Sequence, residues 1–276
     1  MRPLLIAGSA ALVASVAAAG DPPIALYRFE GTLASTIPGA PAIQIDGPDS
    51  RGFSGGTWGW DEGTGLLLDV SGTTISDAWT IGLRFSFDDV SGWVKILDTQ
   101  NRALDNGWYN SALANNLEFY PSSDGTQPFG SGDVVDVVVS FSNGVASGYL
   151  NGTLSSTSDG QFGFGGLSID RLFRFFEDDN VTSHNEVSGG WVNAIVVWDR
   201  GLTAGEIGDL PPLSDYTPAC TEADLAEPFG LLDLADILAF VEAFGAMDGA
   251  VDFDGNGLFD LADVLAFVTD FNAGCP

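Results

Sequence analysis

Between residues 252 and 263 the chain reads Asp252-Phe253-Asp254-Gly255-Asn256-Gly257-Leu258-Phe259-Asp260-Leu261-Ala262-Asp263. Oxygen-bearing side chains fall at positions 1, 3, 5, 9 and 12 of a twelve-residue loop. Gly257 stands at position 6, where such a loop turns sharply, and Leu258 at position 7 can offer its carbonyl. Carboxylates drawn this close repel one another unless a cation sits among them, and a ring of hard oxygens suits a large, geometrically undemanding ion. The spacing therefore predicts a Ca2+ site built from Asp252, Asp254, Asn256, Leu258, Asp260 and Asp263. The plainer reading is an acidic turn in which Asp260 only caps the helix that follows.

That helix belongs to an internal repeat. Residues 230–241, Gly-Leu-Leu-Asp-Leu-Ala-Asp-Ile-Leu-Ala-Phe-Val, match residues 257–268, Gly-Leu-Phe-Asp-Leu-Ala-Asp-Val-Leu-Ala-Phe-Val, without a gap. Leu234, Ile237, Leu238, Val241 and Phe244 in one copy, and Leu261, Val264, Leu265, Val268 and Phe271 in the other, recur at helical spacing, so each helix is expected to turn this stripe toward the other. The first loop is poorer in ligands. Aligned on its glycine, it has Leu225, Glu227 and Phe229 where Asp252, Asp254 and Asn256 stand, and Asp224 reaches position 1 only across an extra residue. A weaker second site is expected from Asp224, Glu227, Asp233 and Asp236, with a metal-free turn capped by Asp233 as the alternative. The two cysteines, Cys220 and Cys275, bracket the repeat. In an exported chain such a pair points to a disulfide, two free thiols being the other reading.

Residues 220–276 resemble a bacterial dockerin, in which two calcium loops, each followed by one helix, pack as a duplicated pair of half-EF-hands. They also resemble a variant ending in Gly-Cys, here Gly274-Cys275-Pro276. Asp263 in place of Glu at position 12, and the lack of a helix entering the loop, are shared with dockerins. The resemblance implies attachment to a cohesin-like or cell-envelope partner through residues just past each loop, here Leu234-Ala235 and Leu261-Ala262.

Upstream the pattern is β. In residues 80–87, Ile81, Leu83, Phe85 and Phe87 share one face while Gly82, Arg84 and Ser86 share the other. Residues 134–141 read as a further strand, Ser142-Asn143-Gly144 as its turn, and residues 146–150 as the returning strand. Residues 191–198 are apolar at nearly every position, as in a central strand covered on both faces. The expected organisation is a secretory signal peptide over 1–20, a β-sandwich over 21–210, a semi-extended proline-bearing spacer over 211–219 and the calcium module over 220–276. The hairpin Gly148-Tyr149-Leu150-Asn151-Gly152 and the segment from Val192 to Ile207 make the sandwich similar to the laminin-G-like jelly rolls of the concanavalin A-like class. The fold class expected is therefore mainly β, an antiparallel jelly-roll sandwich with a small all-α calcium module.

Members of that class often bind sugars through rim loops or a sheet face. Trp58, Trp60, Trp93, Trp108 and Tyr109 lie in or beside glycine-rich stretches and are the candidate ligand-binding residues, against the reading that they pack in the core. Two acidic stretches, Asp98 with Asp105 and Asn106, and Glu177-Asp178-Asp179, read as solvated turns or a second kind of calcium site. Glu118, Glu177 and Glu186 are scattered, the single histidine, His184, lies in a polar loop, and no nucleophile elbow occurs. A formal net charge of −29 excludes nucleic acid and anionic membrane as partners, since both need neutralising cations. The reading is a secreted or cell-surface, non-catalytic protein that binds a glycan or an extracellular matrix ligand. A polysaccharide-degrading enzyme and a purely structural surface component are the alternatives.

Overall fold

The computed structural model describes residues 22–158, 167–227 and 229–275. The leader expected over 1–20 lies outside the described residues. The chain divides into two compact units, Pro23–Tyr216 and a terminal unit over Thr217–Pro276.

The strands of the first unit are β1 (Ala25–Tyr27), β2 (Gln44–Asp46), β3 (Ser50–Ser54), β4 (Thr57–Trp60), β5 (Gly65–Asp69), β6 (Trp79–Phe87) and β7 (Val94–Asp98). They continue as β8 (Gly107–Asn110), β9 (Leu117–Tyr120), β10 (Val135–Ser142), β11 (Val145–Leu150), β12 (Thr153–Ser158), β13 (Leu172–Phe175) and β14 (Gly190–Trp198). An eight-stranded sheet runs β12-β11-β10-β6-β14-β4-β3, with β1 also on β14, and a six-stranded sheet runs β2-β5-β13-β7-β8-β9. The pairings between named strands are antiparallel, and the whole is a jelly-roll sandwich. Period-two alternation fills the space between the sheets: Ile81, Leu83, Phe85 and Phe87 of β6 meet Leu66, Leu68, Phe173 and Phe175 of the opposite sheet in one buried cluster. As its apolar sequence predicts, β14 is central, between β6 and β4.

The outer face of the eight-stranded sheet is partly covered too. Leu26, Val138, Tyr149, Val196 and Trp198 form a second buried cluster with Leu202, Ile207 and Leu213. Helix α1 (Ala204–Asp209) closes it, started by a capping box in which Thr203 and Glu206 satisfy each other's backbone. Here the expected spacer needs correction. Residues 211–216 pack as part of the first unit: Leu213 is buried, Tyr216 meets the Trp198 ring edge-on at 5.6 Å, and Arg28 donates to the carbonyls of Leu213, Ser214 and Tyr216. Gly82 leaves the room, since a Cβ there would lie 3.0 Å from Leu213. The prolines extend the backbone, but Leu213 and Tyr216 give it apolar surface to bury.

In the terminal unit, α2 (Leu234–Ala246) and α3 (Leu261–Ala273) are capped by Asp233 and Asp260, each in a capping box with the Asp three residues on. The Cys220–Cys275 disulfide is formed. In the chain-entropy account, closing a loop of 55 residues contributes about 4 kcal/mol, much of what so small a unit needs. Phe240 and Phe267, equivalent in the two repeats, stack at 4.1 Å, joined by Phe244, Phe253, Val264 and Phe271.

Of the helical stripe predicted from sequence, Phe244, Val264 and Phe271 join this core, but the rest is turned away from it. Leu234, Leu238 and Val241 are exposed, as are Leu261, Leu265 and Val268. The phase is set by polar atoms: Asp236 and Asp263 are fully buried because each turns back to accept N–H groups of its own loop. Residues three, four and seven further on, such as Phe240 and Ala243, share that inward face, and the leucines are carried outward.

Candidate functional site

The loop at 252–263 is a tight turn leading into α3. Gly255 and Gly257 take positive φ values of 67° and 77°, where a side chain would be strained. Asp252 accepts the N–H groups of Asn256 and Gly257 at 3.1 and 2.8 Å, Asn256 accepts that of Leu258 at 2.7 Å, and Asp263 accepts those of Asp254 and Asp260 at 3.4 and 2.9 Å. Backbone N–H groups, that of Asp260 foremost, hold the Asp263 carboxyl below the usual carboxylate range. Asp252, Asp254 and Asp263 thereby bring carboxylate oxygens within 4.8 Å of one another. Asp260 is the helix cap, accepting from the Ala262 N–H at 2.7 Å, as the plainer reading of this residue has it. A trio of carboxylates this close is the kind of donor set that suits a hard cation.

In the first loop Asp224 does reach position 1: it accepts the Gly230 N–H at 2.7 Å, as Asp252 accepts that of Gly257. Asp236 accepts from Leu225 and Ala226, while Glu227 is exposed.

On the sandwich, the aromatic candidates separate. Trp58, Trp60 and Trp108 are fully buried core residues: Trp60 stacks on Phe176, Trp58 on Trp60, and Trp108 on Phe119. Their neighbouring glycines mark close packing, since a Cβ on Gly148 would lie 2.2 Å from the Trp108 ring. Trp93 and Tyr109 remain, and Tyr120 at the end of β9 joins them. The three rings meet edge to face on the outside of the six-stranded sheet, with centroids 5.3 to 6.0 Å apart. Tyr109 is buried beneath, whereas Trp93 is half-buried and Tyr120 is 36% exposed. Trp191, on the other sheet, is half-buried: it lies on Gly59, and the Arg51 guanidinium is 5.8 Å from its ring centroid.

Tyr109 joins the aromatic trio to a cluster of charge, because its hydroxyl lies 3.3 Å from both Asp105 and Asp179. The two acidic stretches read separately in the sequence converge here on Lys95, the only lysine in the chain. Fully buried, its Nζ lies 2.6 Å from Asp179, 3.5 Å from Asp98 and 3.9 Å from Asp178. Asp105, Asp179 and Glu186 bring carboxylate oxygens within 4.8 Å of one another. Burial pushes the Glu186 carboxyl up to about 7, helped by the charges of Asp178 and Asp105. Asp179 moves the other way: burial opposes its ionisation, but the Lys95 ammonium and two backbone N–H groups outweigh it. Glu177 is raised by burial despite Arg102 and Arg174, and Arg102 also meets His184, which is thus no free loop residue. Tyr120, Lys95 and Glu186 gave no local sequence signal, since their partners lie on other strands and loops.

No family model matches the chain, and no curated protein does. Among solved structures it is similar to domain 4 of an extracellular arabinanase from Geobacillus stearothermophilus, in complex with arabinotriose: 14% identity, TM-score 0.52, covering 68% of this chain and 97% of that one. Weaker likenesses are to the binding domain of botulinum neurotoxin serotype D (12% identity, TM-score 0.49) and to Trypanosoma rangeli sialidase in complex with sialic acid (12%, 0.43). The matches cover 68% and 60% of this chain, but only 51% and 29% of theirs. The arabinanase domain establishes the sandwich fold. Among the described residues, no helix is long and apolar enough to cross a membrane.

Proposed function

We propose that the chain is an exported, non-catalytic binding protein, whose sandwich takes a glycan on the outer face of the six-stranded sheet and whose terminal unit is a dockerin-like calcium module for attachment. The observation that carries the first part is the Trp93–Tyr120 pair, two partly exposed rings that both meet Tyr109, whose hydroxyl reaches the carboxylates of Asp105 and Asp179. Rings stack on the apolar face of a sugar, and carboxylates beside them accept from its hydroxyls. The acidity of the site favours neutral glycans, and a fold similar to a domain that holds arabinotriose is compatible with that ligand class. Calcium in the 252–263 loop is supported by its donor set. Attachment is supported by the matched exposed residues Leu234 and Leu261, Leu238 and Leu265, and Val241 and Val268, an apolar surface on a small unit. A cohesin-like or cell-envelope protein is the partner class this reading implies, and the disulfide suits an oxidising, extracellular setting.

The test is a glycan array probed with the mature chain and with Trp93→Ala and Tyr120→Ala. Binding by the parent that both substitutions weaken at least tenfold supports the site; binding indifferent to both rejects it. A hydrolytic reading rests on one observation, the opposed shifts of Glu186 and Asp179 in neighbouring carboxyls, which suit an acid and its partner. Shortening of a bound oligosaccharide, abolished in Glu186→Gln, would favour it.

A further inference from the structure

We infer that the terminal unit takes a single calcium ion, in the 252–263 loop, and that the Cys220–Cys275 disulfide stands in for an ion in its first half. The inference rests on the calcium reading of the second loop. The two halves share one backbone plan. Asp224 and Asp252 each accept the N–H of the turn glycine, across six residues in the first loop and five in the second. Asp236 and Asp263 each gather loop N–H groups, Ala226 donating at 2.9 Å where Asp254 donates at 3.4 Å.

The ligands differ within that plan. Ala226 occupies the place of Asp254 and has no oxygen in its side chain, and Glu227 beside it faces solvent. Among the described residues, the carboxylates of the second loop converge as a trio, whereas Asp224 converges with the sulfurs of Cys220 and Cys275. Sulfurs bonded to each other carry no charge and are no ligands for a hard cation. What the first loop has in exchange is closure by the chain itself. Asp224 accepts the Cys220 N–H at 2.8 Å as well as that of Gly230, and the disulfide ties this point to the residue just past α3. One oxygen of Asp224 is buried without a hydrogen bond, and Asp233 and Asp236 repeat Asp260 and Asp263, but Ala226 leaves out the Asp254 carboxylate, so this half falls short of the six to eight oxygens that calcium gathers.

A coupling follows from the connectivity. Helix α3 begins with the ligands Asp260 and Asp263 and ends beside Cys275. The disulfide fixes one end of the helix whose other end the ion holds, so the bond preorganises the site. By reciprocity, calcium should then protect the disulfide.

The test is calorimetric calcium titration of the chelator-stripped, full mature chain, oxidised, as parent, Asp254→Ala and Asp224→Asn. Asp254→Ala should lose one equivalent of calcium and Asp224→Asn none. If each variant loses one equivalent, the unit has two sites and the inference falls while the calcium reading stands. If Asp254→Ala loses nothing, both fall. Because Asp224→Asn can disturb folding, the parent is also titrated after reduction. An affinity about tenfold weaker is expected, and an unchanged affinity would overturn the role given to the disulfide.

Discussion

Around Lys95, three carboxylates from β7 and the loop after β13 are drawn within 4 Å of one buried ammonium. In the 252–263 loop three carboxylates lie within 4.8 Å of one another, in a part of the chain with no lysine or arginine beyond Arg200. Both clusters must offset like-charge repulsion, which grows as water is excluded. The sandwich carries its counter-charge on a side chain, fixed at synthesis. The terminal loop has no such side chain beside it, and on the calcium reading proposed above its counter-charge would come from solution. The difference teaches that an acidic cluster is informative about a metal only once its internal cations have been counted.

The strongest way to break the comparison is Lys95→Met. It leaves Asp98, Asp178 and Asp179 buried without their cation and should destabilise the sandwich by about 3–5 kcal/mol, read from denaturant unfolding. A loss below 1 kcal/mol would mean that the carboxylates take up protons or water at little cost. Next is the removal of calcium. At a hundredfold excess over its dissociation constant the ion should stabilise the terminal unit by about 2.7 kcal/mol, so a chelator should lower that unfolding transition and leave the sandwich transition in place. Asp254→Ala should abolish the response.

A subtler probe is pH. The Glu186 carboxyl titrates near 7 in the folded chain, against about 4.5 when unfolded, so the folded state holds the extra proton between those values. Its stabilising contribution is complete below about pH 4.5 and is lost as pH rises through 7. Discounted for solvent screening the change is on the order of 1 kcal/mol, and Glu186→Gln should flatten it. The smallest effect is expected at Arg51, whose pairs with Asp61 and Asp88 are solvent-exposed. Arg51→Ala should cost at most about 1 kcal/mol, less at high salt, which would confirm that burial gives the Lys95 cluster its weight.

What could be read from the sequence divides along the same line. The carboxylate trio of the 252–263 loop was legible because its members are neighbours in the chain, and the sandwich because alternation is a local pattern. The Lys95 cluster was not, since Asp98 and Asp179 lie on segments that only the order of strands brings together. The aromatics misled for a physical reason. Glycines beside Trp58, Trp60 and Trp108 looked like open loops, yet Gly148 and Gly190 exist to let the Trp108 and Trp60 rings lie against backbone. The helical stripe misled because periodicity gives a spacing without a phase, and here the phase was set by the buried carboxylates of Asp236 and Asp263.

The scarcity and placement of cationic side chains have a consequence for how this chain meets proteases and reagents. Trypsin-like proteases cut after lysine or arginine, and past Arg200 they find neither, so the last 76 residues would leave such a digest as one peptide stapled by its own disulfide. Amine-directed reagents would likewise meet little but the amino terminus, which makes the folded chain a natural candidate for single-site labelling.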